Sequence, residues 1–441
     1  MNLKSILAPA ARVPGGLRLP GRKDTAGCET LRMPPPARVV IPMCHHIGVP
    51  AVPAVKKGDT VSVGQVIGDI AGSCDDIGIP VHASVSGTVR DIVTLTMPDG
   101  ARSEAVVIDS DGLMTPFSGI QPPKIETAEE LLAAAGASGL AGLGGAGFPA
   151  YAKLKPKKDT VIDTLIVNAA ECEPYITVDH RACIEQTADI FEGVEILQRR
   201  LNIPAAVIAA ESNAPQAIAA LNQVAGENVS VMKLPARYPQ GAEKTLVYAV
   251  TKRKIPAGGL PADVGCLVMN VSSVAFLARY LRTGKPLVSR TVTLAGPAIA
   301  NPGNYRVPVG TSVADLIAFA GSYAAPARKL LIGGPMMGTA LASENTPILR
   351  YHNAVLAFTA DTAVPPPQKD CIRCGRCLLA CPMKLAPVTL KNAVKTNDLD
   401  TLRKFDVSSC YECGCCAYVC PAGIPLVQQM RLGKAQLKID N

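Results

Sequence analysis

The chain has 441 residues, a formal net charge of +8 and 48% hydrophobic residues, with no Trp and 4% aromatics. At roughly 150 residues per domain this suggests about three domains with real cores, and the apolar mass of Ala, Val, Ile and Leu suits α/β architecture. Lys and Arg are scattered with no aromatic ladder among them, which argues against a nucleic-acid partner. The longest apolar run, Leu131 to Ala150, holds six glycines, a poor membrane span when one takes about 20 bulkier apolar residues.

The N-terminus, Met1 to Ala11, is short and mildly basic with no long apolar run behind it, so no signal peptide is expected. The chain is expected to be soluble on its own, with membrane association only through partner subunits. From about Val39 to Val107, alternating apolar residues separated by Gly-Asp and Gly-Gln turns predict short strands. A first half around Val52 to Gly68 and a second around Ile79 to Val89 share this grammar and resemble the biotinyl/lipoyl carrier sandwich. The carrier lysine between the halves is missing, which implies a structural or docking module. His45, His46 and His82 read as ordinary polar residues of this module rather than metal ligands.

Ser118 to Glu129 reads as a linker and Glu126 to Ala135 as a helix. The glycine-rich stretch that follows, Gly139 to Lys153, contains Gly142-x-Gly144-x-x-Gly147. This formally matches the dinucleotide fingerprint, but a helix precedes it and Pro149 follows, so the fingerprint alone is weak. Exposed N–H groups of such a loop still form an anion nest, and Lys153 supplies a fixed positive charge. Next come a short buried strand, Thr164 to Asn168, and an acidic loop, Glu171-Cys-Glu173-Pro-Tyr175. Acidic side chains beyond a strand end bind ribose hydroxyls in related architectures. Strands and helices then alternate: Ala205–Ala210, Ala214–Val224, Val229–Lys233, Glu243–Thr251 and Cys266–Val271. Val288 to Gly338 returns to short strands around one helix, Ser312–Gly321, a small β-grasp-like pattern. Leu385 to Asp400 and Leu426 to Leu437 are expected to be helical.

Nine of the 15 cysteines follow residue 370, and eight form two runs, Cys371-x-x-Cys374-x-x-Cys377-x-x-x-Cys381-Pro and Cys410-x-x-Cys413-x-x-Cys416-x-x-x-Cys420-Pro. This is the bacterial ferredoxin spacing twice over, in which the fourth cysteine of each run ligates the other cluster. One [4Fe–4S] cluster is therefore expected on Cys371, Cys374, Cys377 and Cys420, and the other on Cys410, Cys413, Cys416 and Cys381. Cys415 reads as a spare thiol beside the second cluster. Zinc sites use separated Cys pairs, and disulfides need an oxidising compartment. From Lys369 to Asn441 there are 11 Lys/Arg against 6 Asp/Glu, a basic surround that partly balances anionic clusters.

Landmarks along the whole chain carry a resemblance to the RnfC family, a component of the Rnf-type ion-translocating electron-transport complex of bacteria. They include His45-His-Ile-Gly-Val-Pro, Gly142-Leu-Gly-Gly-Ala-Gly-Phe-Pro149, Asn168-Ala-Ala-Glu-Cys-Glu-Pro-Tyr175, Tyr238-Pro-Gln-Gly-Ala-Glu-Lys244, Gly333-Gly-Pro-Met-Met-Gly338 and the two cysteine runs. The central part is also similar to the flavin-bearing NADH subunit of respiratory complex I. That resemblance implies a multidomain α/β plus β fold. Residues 1–118 would form a barrel-sandwich hybrid domain, 125–286 an FMN- and NADH-binding α/β domain, 287–345 a β-grasp, soluble-ligand-binding-like domain, and 365–441 a ferredoxin-like α domain with two [4Fe–4S] clusters.

By motif, Gly142, Gly144, Gly145 and Lys153 would hold the flavin phosphate region, and Asn168, Gly241, Glu243 and Asn270 would line FMN. Phe148, Glu171, Glu173 and Tyr238 would face NAD(H), with Glu173 and Glu243 as the catalytic carboxylates. Three departures from the complex I pattern stand at Leu143, Ala170 and Ala242. The implied activity is that of a translocase subunit at the cytoplasmic side of the cell membrane, peripheral to it. It would exchange hydride between NAD(H) and FMN and single electrons with the clusters, partnered by the rest of the complex, including an iron–sulfur subunit, and by ferredoxin indirectly. The alternatives are a cobalamin reductase of the microcompartment type, whose glycine loop is expected nearer the N-terminus, and a flavin-free iron–sulfur scaffold.

Overall fold

A computed structural model describes residues 10–11, 13–70, 77–155, 160–226 and 228–439. Most of the Met1–Ala11 segment and Cys74 lie outside the described residues.

The N-terminal strands are β1 (Thr30–Arg32), β2 (Arg38–Pro42), β3 (Val52–Pro53), β4 (Thr60–Val61), β5 (Val66–Asp69), β6 (Val81–His82), β7 (Gly87–Thr96) and β8 (Arg102–Ser110). A four-stranded sheet, β2-β8-β7-β4, faces a three-stranded one, β3-β5-β6. Strand alternation sends Val39, Ile41, Ile67, Val81, Val89, Val106 and Ile108 into one shared core. The long β7–β8 hairpin turns through Gly100, whose φ of +87° is in the left-handed region that glycine enters freely.

The central unit comprises α1 (Ala128–Ala137), α2 (Ala150–Leu154), β9 (Thr164–Ala169), α3 (Val178–Glu185), α4 (Thr187–Leu201), β10 (Ala205–Glu211), α5 (Pro215–Val224), β11 (Val229–Leu234), α6 (Glu243–Thr251), β12 (Cys266–Asn270) and α7 (Val271–Thr283). Thr127 and Glu130 cap α1 reciprocally, satisfying two N–H groups of its first turn. The four strands lie parallel in the order β11-β10-β9-β12. Every residue of β10 is buried, as a sheet covered on both faces requires. Leu165 and Val167 pack with α1, α4 and α7 on one face, while Ile166 packs with Leu246, Val247 and Val250 of α6 on the other.

The next sheet contains β13 (Ser289–Ala295), β14 (Gly303–Pro308), β15 (Lys329–Ile332), β16 (Thr339–Ala340) and β17 (Ala354–Phe358), with α8 (Val313–Phe319) packed against it. Its strand order is β1-β14-β13-β17-β15-β16. Two of these strands fall outside the 287–345 range read from sequence. β1, inside the 1–118 range, pairs in parallel with β14, and β17 pairs with both β13 and β15. A three-residue strand carries too little pattern to name its partner, and the fully buried β17 has no alternation to mark it as part of this sheet.

The C-terminal part carries α9 (Ala360–Ala363), α10 (Arg376–Ala380), α11 (Pro387–Thr396), α12 (Leu399–Lys404), α13 (Cys415–Tyr418) and α14 (Leu426–Ile439). Leu390, Val394, Leu402, Val407, Met430 and Leu437 form its core. Gly433 lets α14 approach Val394, where an added Cβ would lie 3.0 Å from that side chain. Among the described residues no helix is long and apolar enough to cross a membrane.

Candidate functional site

The strand order reverses at β9, with β10 added on one side and β12 on the other. In open parallel sheets the crevice beyond the carboxyl ends at such a reversal is where ligands bind. Asn168 and Asn270 are direct register partners at that edge. The Asn168 amide donates to the Gly241 carbonyl at 2.9 Å, and its oxygen accepts from Ala170 N at 3.0 Å. Asn270 caps α7 by accepting from Ser273 N and donates to Asp179 at 2.7 Å. Gly241 permits a close approach, since a Cβ there would lie 2.2 Å from the Ala170 carbonyl oxygen.

The glycine loop closes over this edge. Gly142 N donates to Phe148 O at 2.8 Å and Ala150 N to Leu140 O at 2.9 Å, so the loop is pinned at its base. The Leu143 N–H is taken by the Ser273 hydroxyl, and its carbonyl by the buried Arg290 at 2.6 Å. The backbone N–H groups of Gly144, Gly145 and Ala146 meet no protein acceptor among the described residues, and all three residues are exposed. A Cβ on Gly144 would stand 3.3 Å from the Asn270 amide. Successive free N–H groups beside two strand-end amides make a cradle for a phosphorylated, planar cofactor. Lys153, on α2, forms an ion pair with Glu243, the first residue of α6. Phe148 is half-buried at the loop's end. The structure therefore brings Gly142, Gly144, Gly145, Phe148, Lys153, Asn168, Gly241, Glu243 and Asn270 to one crevice.

The acidic loop behaves differently. Glu171 accepts from Asp179 N and His180 N, capping the first turn of α3. Burial raises its pKa, with Asp179 adding to the effect and Lys23 opposing it. The Lys23 ammonium donates to the carbonyls of Glu171, Glu173 and Ile176. Glu173 accepts from Met336 N at 3.1 Å and Met337 N at 2.9 Å, and burial pushes it up to about 7. A Cβ on Gly334 would lie 2.3 Å from the Glu173 carboxyl carbon, so Gly333-Gly-Pro-Met-Met-Gly338 is the socket for this side chain. Tyr238 is 2% exposed and donates its hydroxyl to Cys413 O at 2.6 Å.

These positions correct three expectations. Glu173 is committed to backbone donors of the neighbouring sheet rather than poised as a catalytic carboxylate. Glu171 is committed to a helix start. Tyr238 presents no open face to a nucleotide, because the cysteine loop covers it. Sequence reasoning also missed Lys23, Asp179, Ser273 and Arg290, which hold the loops from behind. The Asn270-x-x-Ser273 pattern at a strand end was the one available signal, as an N-cap.

The cysteine thiols form two groups. Cys381 stands with Cys410, Cys413 and Cys416 around a small cavity, and their mutual repulsion after burial pushes Cys416 up to about 12. Cys420 and Cys374 both act on Cys377, with Cys371 and Cys420 packed at the same apolar cluster. The fourth cysteine of each run thus lies with the other run, as the spacing requires. All eight thiols are free. Crowded thiols of this kind are relieved when iron takes their protons' place, so the donor set fits two [4Fe–4S] clusters. Cys415 is buried against Tyr238 and Cys413.

His45, His46 and His82 are buried. His46 accepts from Ile79 N at 2.9 Å, and burial, then Arg350, hold His46 down to about 4 and His82 to about 3. Among the described residues no group of His, Cys, Asp or Glu converges to hold a single metal ion.

Comparison with known proteins places these features in a family. Family models match in series: an RnfC barrel sandwich hybrid domain over residues 11–113, a Nuo51 FMN-binding domain over 136–279, an SLBB domain over 291–340 and a 4Fe-4S dicluster domain over 370–424. The chain is 40% identical to the RnfC subunit of the proton-translocating ferredoxin:NAD(+) oxidoreductase complex of Clostridium ljungdahlii, covering 84% of this chain and 81% of that protein. It is 38% identical to its counterpart in the ion-translocating oxidoreductase complex of Rhodobacter capsulatus, over 94% and 80%. It is 37% identical to the counterpart in the Na(+)-translocating ferredoxin:NAD(+) oxidoreductase complex of Acetobacterium woodii, over 96% of each. Among solved structures, a chain of the NAD+-reducing [NiFe]-hydrogenase in the H2-reduced state is similar with a TM-score of 0.49 and 16% identity, over 70% of this chain and 63% of that one. The family models and the three relatives set aside the cobalamin-reductase and flavin-free readings, and the chain belongs to the RnfC family, the FMN- and iron–sulfur-carrying subunit of Rnf-type ion-translocating oxidoreductase complexes.

Proposed function

We propose that this chain is the electron-input subunit of a ferredoxin:NAD oxidoreductase complex, peripheral at the cytoplasmic face of the membrane. FMN supplies the conversion between hydride exchange with NAD(H) and single-electron exchange with the clusters. The free N–H groups of Gly144, Gly145 and Ala146 hold its phosphate region, with Gly142 setting the loop's base. Lys153 adds a positive charge, positioned by Glu243. Asn168, Gly241 and Asn270 line the flavin along the sheet edge, and Phe148 borders the nicotinamide nucleotide. Glu171 and Glu173 act at one remove, by holding the acidic loop against α3 and the Gly333–Gly338 turn.

The order of the clusters is part of the proposal. Tyr238 bonds Cys413 O, and Thr245, two residues after Glu243, bonds the Tyr411 hydroxyl at 3.0 Å. The Cys410–Cys416 loop therefore abuts the flavin side, and its cluster is the inner one. The Cys371–Cys377 loop faces outward, with Cys374 exposed and Ile372 and Leu379 at 69% and 78% exposure. Such an apolar patch suits docking of an iron–sulfur partner subunit, through which ferredoxin is reached indirectly.

The observation that carries the reading is the pair of strand-end asparagines beneath an open glycine loop at the sheet's reversal point. The test uses the full chain purified without oxygen, with FMN and iron counted per chain. Adding NADH is expected to bleach cluster absorbance. Absence of flavin together with absence of bleaching refutes the proposal.

A further inference from the structure

A cavity of about 680 Å³ lies where the sandwich, α7 and the β13–β14 hairpin meet. Its volume is in the range of small-molecule sites, about 300–1,000 Å³. None of the residues assigned above to the flavin crevice lines it. Its walls carry Arg32, Arg279, Arg282, Lys285, Arg290 and Arg306, and no Asp or Glu among the described residues.

Three of these cations have protein partners. Arg279 and Arg282 pair with Asp189 at 3.2 and 2.8 Å, behind the cavity wall. Arg290 donates to the carbonyls of His352 and Leu143. The other three are uncompensated. Arg306 donates only to the Ser289 hydroxyl, at 3.0 Å, while the Arg32 and Lys285 side chains have no hydrogen-bond or ion-pair partner among the described residues. Arg32 and Arg306 are moreover direct register partners on β1 and β14, a like-charge juxtaposition that destabilises a sheet unless an anion joins it. Burial, then Arg279 and Arg32, hold Arg306 down to about 10. Opposite the cations, Met33, Phe276 and Met114 give the cavity an apolar wall.

We propose that this junction cavity binds a soluble phosphorylated small molecule of nucleotide size, its anionic group between Arg32, Arg306 and Lys285 and its apolar or aromatic body against Phe276 and Met33. Since the cavity is shared by three domains, the ligand fixes their mutual placement.

The probe is ADP, with inorganic pyrophosphate beside it, titrated calorimetrically into the intact complex and into the flavin-loaded full chain, with NAD+ present to fill the crevice. Saturable binding is expected, tighter for ADP than for pyrophosphate. Arg32→Ser and Arg306→Ser are each expected to weaken it by about tenfold or more, the scale of one lost charge-assisted bond. Lys285→Ser, at an exposed and unpartnered side chain, is expected to weaken it without touching the fold. Arg306→Lys is expected to retain most of the affinity, and Lys153→Ala all of it. The proposal is overturned if neither probe binds below about 5 mM, or if the arginine and lysine substitutions leave affinity unchanged. It is equally overturned if Lys153→Ala alone abolishes binding, which would place the ADP in the glycine-loop crevice. Binding by the isolated chain that vanishes in the intact complex would assign the cavity to an acidic partner segment and overturn it too.

Discussion

Tyr238→Phe isolates the contact between the flavin side and the inner cluster loop. The ring is 2% exposed and packs with Ala380, Cys413 and Cys415, contacts that phenylalanine keeps. What is lost is the 2.6 Å hydrogen bond to Cys413 O. Leaving a buried carbonyl without its donor costs about 1–3 kcal/mol, which is about 5- to 150-fold in a local opening equilibrium at about 1.4 kcal/mol per decade. The second tie, Thr245 to Tyr411 at 3.0 Å, keeps the opening local. Amide hydrogen exchange read by mass spectrometry reports it directly. Residues 410–416 are expected to exchange faster by that factor, and residues 371–377 at the wild-type rate. Unchanged exchange at 410–416, or equal acceleration in both cysteine loops, refutes the claim that Tyr238 anchors the inner loop alone.

Lys153→Ala removes the ammonium beside the glycine loop and is expected to lower FMN per chain while leaving iron per chain unchanged; wild-type flavin content would reject its role. Cys381→Ser and Cys420→Ser are each expected to lose about half of the iron, with Cys381→Ser sparing the cluster on the Cys371 run and Cys420→Ser the one on the Cys410 run. Electron paramagnetic resonance of the reduced variants distinguishes the survivors, and the reverse pairing would refute the crossed ligand sets. Burial raises Glu173 and Glu211 from 4.5 to about 7. The folded state then holds more protons than the unfolded chain between those values, so stability is expected to fall as pH rises from about 4.5 to about 7 and to level off above. The urea midpoint measured across that window checks it, and a midpoint that climbs with pH contradicts it.

Legibility in the sequence followed the range of the interaction that carries each feature. The cysteine runs are local patterns, and their spacing alone predicted which thiols meet. The α6 bounds, Glu243–Thr251, and the strand beginning at Thr164 were also readable, because burial on a parallel sheet writes itself as short apolar runs. Lys23 was not readable, since its three carbonyl acceptors lie about 150 residues away and a lone lysine carries no sign of that. Glu171, Glu173 and Tyr238 were read as ligand-facing because the same residue types serve binding and loop anchoring. Only the geometry of Gly334, whose missing side chain is the space Glu173 occupies, separates the two uses.

The segment from Tyr238 to Glu243 explains why these anchors matter to electron transfer. Gly241 lies on the Ala170 carbonyl and receives the Asn168 amide, and Glu243 holds Lys153, so one end of the segment is part of the flavin crevice. Tyr238, three residues before Gly241, is bonded to the backbone of a cluster ligand. A stretch this short, fixed at both ends, sets the separation between the sheet edge and the inner cluster. A larger residue at Gly241 would have to displace it from Ala170, moving both ends together. The two cofactor sites are therefore held as one positional unit by backbone contacts, which is why the acidic loop and the Gly333–Gly338 turn serve better as braces than as groups free to face a nucleotide.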